Sequence, residues 1–209
     1  MYSGIAQAVV PVVGRTTGDG STSYTLRLPT GLLDGLKLGA SVSIDGVCLS
    51  AVTIEGDLVA FDVSDGTMAI TNLGDRVVGS RVNVERSLRS GDENGGHNVT
   101  GHVTGTARVT GINTGAGALF LRVAIPEPHR RYVFVRGFLA LNGCSLTVAE
   151  ADEATGEVKI NLIPETIRQT SLADYRIGDR INYEIELQTQ IMVDTIERCV
   201  RQSLQRAAA

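Results

Sequence analysis

The sequence predicts an all-β protein: two tandem, homologous, antiparallel β-barrels followed by a C-terminal α-helix. Three observations carry this. The chain repeats itself, each copy breaks into short strands separated by glycine turns, and only the tail has helical periodicity.

The repeat is read from blocks in matching order. Asp45-Gly46-Val47-Cys48-Leu49-Ser50 answers Asn142-Gly143-Cys144-Ser145-Leu146-Thr147, and Ser3-Gly4 answers Thr100-Gly101. Further on, Phe61-Asp62-Val63 answers Ile160-Asn161-Leu162, Gly66-Thr67-Met68 answers Glu165-Thr166-Ile167, and Thr71-Asn72-Leu73 answers Thr170-Ser171-Leu172. Gly79-Ser80-Arg81-Val82-Asn83 answers Gly178-Asp179-Arg180-Ile181-Asn182. One gap suffices: the second copy carries two extra residues, placed in the loop 151–157. A repeat at domain scale sets the architecture before any local reading.

Each copy then reads as strands. Ser41 to Ile44 runs into the turn dipeptide Asp45-Gly46, with Asn142-Gly143 at the matching place; both are hairpin signals. Cys48 to Ile54 and Leu58 to Val63 follow on either side of Glu55-Gly56-Asp57. Val82-Asn83-Val84-Glu85 alternates apolar and polar, as a strand with one buried face does. Thr67 to Leu73 and Thr166 to Leu172 read as short helices. Many short strands with glycine turns favour a closed barrel, which leaves no sheet edge exposed. The tail differs: Ile191, Met192, Ile196, Val200 and Leu204 form one stripe from Thr189 to Gln205, the spacing of an amphipathic helix. The stripe packs either on its own domain or against another subunit. The domains are therefore 1–97 and 98–187, with the helix and tail in 188–209.

Composition excludes several classes. The formal net charge of −4 gives no general attraction for nucleic acid or an anionic membrane. No apolar run approaches the ~18 residues of a membrane span. The apolar start MYSGIAQAVVPVVG lacks a basic leader, so no signal peptide is expected. Cys48, Cys144 and Cys199 are odd in number with no C-x-x-C pair, which points to a reducing cytoplasm rather than disulfides or structural zinc.

The chemistry-bearing candidates are few. Cys48 follows a turn and opens a strand, a place that suits a buried structural cysteine as well as a ligand contact. His97 and His102 flank the joint between copies; their spacing is no metal signature, and each is either an acid–base group or a hydrogen-bonded joint residue. His129, in Pro126-Glu127-Pro128-His129, reads as an exposed turn. Ser50 with Thr147 and Thr67 with Thr166 are small polar residues at matched positions, as two similar ligand pockets require.

These blocks resemble riboflavin synthase of the α type, a family built from two homologous Greek-key barrels. The resemblance runs from Met1 to about Glu197 and rests on Gly46-Val47-Cys48-Leu49-Ser50, Thr71-Asn72-Leu73-Gly74, Asn83-Val84-Glu85-Arg86, Gly95-Gly96-His97 with Gly101-His102, Asn142-Gly143-Cys144-Ser145-Leu146-Thr147-Val148, and Leu162-Ile163-Pro164-Glu165-Thr166. It implies a dismutation in which two molecules of 6,7-dimethyl-8-ribityllumazine exchange a four-carbon unit, yielding riboflavin and 5-amino-6-ribitylaminopyrimidinedione without cofactor or metal. It implies a homotrimer, assembled with help from the C-terminal helix, and association with lumazine synthase. Its productive site lies between the N-terminal barrel of one subunit and the C-terminal barrel of another.

By the resemblance, Ser41, Cys48, Ser50, Asp62 and Thr67 line the N-terminal site. His102, Thr147, Ile163 and Thr166 line the C-terminal one, and Ser3, Gly4, Gly101 and Glu165 also contact substrate. His102 is the candidate for proton transfer or ligand polarisation. Cys48 is the second catalytic candidate, as nucleophile or, preferably, as a ring contact. The departures fall in the first copy: Tyr2-Ser3 for the family's Phe-Thr, Ser50 for Thr, and Gly66-Thr67-Met68 for Glu-Thr-Leu; near the end Glu186 stands for an aspartate. Gly66 removes a carboxylate that Glu165 keeps and loosens the backbone beside Thr67. A paralogue acting on a modified lumazine, or a lumazine- or flavin-binding protein without turnover, fits the same motifs.

Overall fold

The computed structural model describes residues 1–115 and 118–207. The first copy forms β1 (Ala8–Thr17), β2 (Ser21–Arg27), a helical turn α1 (Thr30–Leu33), β3 (Ser41–Ile44), β4 (Val47–Glu55), β5 (Leu58–Ser64), α2 (Asp65–Ile70) and β6 (Arg81–Arg86). The second forms β7 (Gly105–Gly115), β8 (Ala118–Ala124), β9 (Phe138–Leu141), β10 (Cys144–Ala151), β11 (Glu157–Leu162), α3 (Pro164–Gln169) and β12 (Arg180–Ile185), and the chain ends in α4 (Leu187–Ala207). Each copy closes into a six-stranded antiparallel barrel, in the order β1-β2-β5-β4-β3-β6 and its equivalent in the second copy. The second strand of each copy pairs with the fifth rather than the third, which makes the connection a Greek key.

Strand alternation fills the barrels. Thr22, Tyr24 and Leu26 of β2 and Val59, Phe61 and Val63 of β5 point inward, while Asp62 and Ser64 point out. Leu121, Ile160 and Leu162 do the same in the second core. Truncating a side chain such as Phe61 to alanine costs about 3–5 kcal/mol. The β3–β4 and β9–β10 turns are tight hairpins: Asp45, Gly46, Asn142 and Gly143 all have positive φ, as a two-residue type I′ turn requires.

These turns meet tip to tip where the barrels join. A Cβ on Gly46 would lie 2.6 Å from the Gly143 nitrogen, so only glycine allows the contact. Matched asparagines stitch the joint. Asn83 Nδ2 donates to Asn142 O (3.0 Å) and Asn182 Nδ2 to Asp45 O (2.8 Å), while Asn83 and Asn182 Oδ1 accept from Ser171 N (2.7 Å) and Asn72 N (2.6 Å). The alternation of Val82 to Glu85 is thus not the mark of one buried face. All four residues are buried, because the polar face lies between the barrels.

Symmetry breaks most sharply around Asp45. Asp45 receives Arg76 Nε (3.0 Å) and Nη2 (2.7 Å) and the Asn83 N–H (2.8 Å). Its counterpart Asn142 donates instead to Tyr175 Oη. Burial pushes the Asp45 carboxyl up, and Arg76 and the Asn83 N–H pull it back down.

Two expectations change in detail, and one left open is narrowed. The helices begin earlier, at Asp65 and Pro164, and break at Thr71 and Thr170. Both threonines are extended, bond back to Thr67 O (2.7 Å) and Thr166 O (2.6 Å), and cap a following 3-10 turn. His129 is no exposed turn. It is half-buried, with Nδ1 2.6 Å from Tyr183 Oη, a phenol that burial pushes up to about 12 and so keeps protonated. The stripe of α4 stays uncovered within the chain: Ile191, Met192, Ile196, Val200 and Leu204 are all exposed, and Arg131 ties the helix down through Asp194 and Glu197.

Candidate ligand-binding site

On each barrel one seam of the wall is open. Bridged pairs between β4 and β5 run from Glu55↔Leu58 to Ala51↔Phe61, past a bulge, and stop. Between β10 and β11 they stop at Val148↔Ile160, again past a bulge. Bulges bend a strand away from its partner. Beyond these points Cys48 to Ser50 face Asp62 to Ser64, and Ser145 to Thr147 face Asn161 to Ile163, with no bridge among the described residues. Cys48 N–H points into its slot, whereas Ala51 N–H bonds Ala40 O on the opposite side (3.0 Å). Strand alternation therefore turns the N–H and C=O of Ser50 into the slot, and those of Thr147 likewise.

Side chains around the first slot are those the sequence marks. Ser41 is paired across β3 to Ser50, Cys48 and Thr67 are half-buried, and Ser50 and Asp62 are exposed. Helix α2 closes one end. Ser64 caps it, accepting the Thr67 N–H at 3.2 Å with Thr67 Oγ1 at 3.1 Å. The second slot presents Thr147, Ile163, Thr166 and Glu165, all exposed except the half-buried Thr166. Ile163 stands in the place of Ser64 and supplies no side-chain cap; Pro164 opens α3 instead, its fixed φ suiting a first helical turn.

The structure places His102 in the other slot from the one expected. The segments before β1 and β7 each cross to the opposite barrel. Gly101 O accepts the Cys48 N–H at 2.9 Å, and Val103 packs on the N-terminal core. Gly4 O accepts the Ser145 N–H at 2.7 Å, and Ala6 packs on the C-terminal core. The two segments bridge each other at Tyr2 and Val99. Gly101 and the exposed His102 therefore belong beside Cys48, and Ile5 occupies the corresponding position beside Ser145. The resemblance gave His102 to the C-terminal site; its place in the second copy of the sequence has no means of showing the crossing. Ser3 is buried, with its N–H and hydroxyl both 2.7 Å from Glu85 Oε1, so it has no free donor for a ligand.

In the second slot His97, one of the two histidines the sequence offers as an acid–base or hydrogen-bonded joint residue, pairs with Ser145, which the sequence does not mark. His97 Nδ1 lies 2.6 Å from Ser145 Oγ, and its ring stacks on Phe138 at 5.0 Å. Burial lowers the His97 pKa against the opposing pull of Glu186. The available signal was the alignment of Ser145 with Cys48. In the first slot that position is a thiol, which receives the Tyr2 hydroxyl at 3.1 Å. The expected loss at Gly66 also changes meaning. Glu165, its counterpart, pairs with Arg168 and accepts from Gln169 Nε2 (2.9 Å) on its own helix. The counterparts of those partners in α2 are Ala69 and Ile70, so the whole surface pairing is missing together with the carboxylate. Among the described residues, no three His, Cys, Asp or Glu side chains gather as a metal site would need.

Two barrels with matched, half-polar slots on their outer walls define a duplicated small-molecule-binding barrel protein. The model of the lumazine binding domain matches residues 3–87 and again residues 100–186. The chain belongs to the lumazine-binding domain family. It is 39% identical to riboflavin synthase of Escherichia coli (strain K12) over 199 residues, covering 95% of this chain and 92% of that one. It is 35% identical to riboflavin synthase of Buchnera aphidicola subsp. Schizaphis graminum (strain Sg) over 205 residues, covering 98% of each. Among solved structures, LumP complexed with riboflavin superimposes with a TM-score of 0.82 at 25% identity, over 89% of this chain and all of that one.

Proposed function

We propose that this chain is a riboflavin synthase, an enzyme that dismutates two molecules of 6,7-dimethyl-8-ribityllumazine. A four-carbon unit passes from one to the other, giving riboflavin and 5-amino-6-ribitylaminopyrimidinedione. The observation that carries the reading is the pair of matched slots with different reactive groups, Cys48 and His102 at one and His97–Ser145 at the other. One slot would suffice for a binding protein. A reaction between two identical molecules needs both, each holding one ring in a different chemical role.

The slots suit the ligand. Backbone N–H and C=O of Ser50 and Thr147 offer the alternating donors and acceptors that a pyrimidinedione edge presents in complement. Ser41, Asp62, Thr67 and Thr166 supply hydroxyl and carboxylate partners for a ribityl chain. His102 takes a proton from the acidic C7 methyl group, leaving a carbon nucleophile. Cys48 contacts the ring. At the second slot Ser145, held by His97, faces the acceptor lumazine. Fixing two rings in opposed orientation supplies a large part of the acceleration by itself. The productive pair forms between the N-terminal slot of one subunit and the C-terminal slot of another in a homotrimer that the uncovered stripe of α4 helps to build.

Incubating the purified protein with 6,7-dimethyl-8-ribityllumazine and following riboflavin absorbance tests this. Sustained riboflavin formation is expected. Tight binding without product would support a non-catalytic lumazine- or flavin-binding protein instead.

A further inference from the structure

Each crossing segment is anchored by one buried glutamate on its own barrel's last strand. Glu184 of β12 receives Thr100 N–H (2.6 Å) and Thr100 Oγ1–H (2.8 Å) on Oε1, and Gly101 N–H (3.0 Å) on Oε2. Glu85 of β6 receives Ser3 N–H and Oγ–H (both 2.7 Å) on Oε1, and Gly4 N–H (3.1 Å) on Oε2. Both residues are nearly closed to solvent, at 6% and 3% exposure. The threonine and serine hydroxyls pass the constraint on: Thr100 Oγ1 accepts the His102 N–H (3.1 Å), and Ser3 Oγ the Ile5 N–H (3.2 Å). The carbonyls between them then reach the opposite barrel, at Cys48 N and Ser145 N.

We propose that Glu184 and Glu85 are positioning residues that act crosswise. Glu184, on the C-terminal barrel, sets the N-terminal slot by holding Gly101 and His102 against Cys48. Glu85, on the N-terminal barrel, sets the C-terminal slot by holding Gly4 and Ile5 against Ser145. Neither carboxylate touches the ligand. Each works through three donors that only an ionised carboxylate accepts together. The amide of a glutamine presents N–H to at least one of them, and a donor facing a donor in a buried site expels the segment. The fit at the far end is close: a Cβ on Gly101 would lie 2.6 Å from Cys48 Cβ, and one on Gly4 2.6 Å from Ser145 Cβ. A small displacement of either segment therefore uncovers the slot it abuts. The proposal rests on the reading that the Cys48 and Ser145 faces are the two ligand faces.

The crossed pattern separates this role from a merely structural one, in which each glutamate supports the barrel it belongs to. Two reporters read the slots independently of turnover, both in a Cys199→Ser background. The first keeps Cys48; the second carries Cys48→Ser with Ser145→Cys. Each is combined with Glu184→Gln or Glu85→Gln, and alkylation by iodoacetamide is timed on the full chain. Glu184→Gln should speed alkylation at Cys48 about tenfold and leave the Ser145→Cys reporter within about twofold, with Glu85→Gln doing the reverse. Glu184→Asp and Glu85→Asp keep the charge and should show the same crossed pattern at smaller amplitude, and they serve where a glutamine variant does not fold. Equal acceleration at both slots, or acceleration in the glutamate's own barrel, would overturn the proposal. A wild-type protein that makes no riboflavin would defeat the enzyme reading and leave this alkylation pattern to be judged by itself.

Discussion

The two slots share a wall, a bulge and a crossing segment, yet their residues divide the work. The N-terminal slot combines a thiol, an exposed imidazole and a serine-capped helix. The C-terminal slot has a hydroxyl held by a buried imidazole, an isoleucine in the place of His102, and a helix opened by proline. Duplication makes two equivalent sites. Substitution at a handful of outward positions then makes them inequivalent while the inward positions keep both barrels packed. The difference teaches that packing and chemistry are carried by different sides of the same strands.

The largest effect should come from the ion pair that breaks the symmetry of the joint. Asp45→Ala leaves Arg76 charged and unpaired and should destabilise by about 3–5 kcal/mol in chemical denaturation. Asn142→Ala, which breaks only amide and phenol bonds, should cost about 1–3 kcal/mol. Equal losses would mean the ion pair is no more than another polar contact.

Next comes the division of chemistry. His102→Gln should lower kcat by about a hundredfold with riboflavin affinity nearly unchanged. Ser145→Ala should lower it by about tenfold, the value of one lost hydrogen bond. An unaltered rate in His102→Gln removes the imidazole from proton transfer.

The buried imidazole makes the second slot sensitive to acid. The folded-state pKa of His97 lies below its ordinary value of about 6.5, because burial disfavours the charged ring. The unfolded chain therefore binds the proton more readily. Stability from this residue is complete above about pH 6.5 and is lost as pH falls through the folded value. The buried carboxyls Glu85 and Glu184 shift upward and act in the opposite sense. The readable quantity is thus the difference in Tm between wild type and His97→Gln, which should shrink on acidification below about pH 6.5. A constant difference would contradict a neutral, buried His97.

The smallest effect is expected at Gly66. Its Cβ would enter open space, 3.9 Å from Ser64 Oγ, and its φ is ordinary. Gly66→Glu should change stability by no more than about 0.5 kcal/mol and leave riboflavin affinity unchanged by fluorescence titration. A marked gain in affinity would restore the view that the missing carboxylate contacts the ligand.

Much of this was legible in the sequence because it is local or periodic. The turn dipeptides, the strands after them and the amphipathic tail all follow from spacing. β1 and β2 were not singled out, although Ser21 to Arg27 alternates cleanly. The repeat marked Ser50 with Thr147 and Thr67 with Thr166, while Ser41, Asp62 and Ile163 came only from the resemblance. What was not legible is the crossing: Gly101-His102 aligns with Gly4-Ile5 whichever barrel it touches, and two backbone bonds and one hydroxyl bond to a buried glutamate leave no periodic trace. The recurring Asn-x-Glu at Asn83–Glu85 and Asn182–Glu184 was the available hint. Alternation alone reads it as a solvent-facing side.

The most direct test of the central claim, that two inequivalent slots act on two identical molecules, is the stoichiometry of turnover. The account predicts one riboflavin formed for every two molecules of 6,7-dimethyl-8-ribityllumazine consumed, with an equal amount of the pyrimidinedione. Riboflavin absent while lumazine stays tightly bound and intact would contradict it.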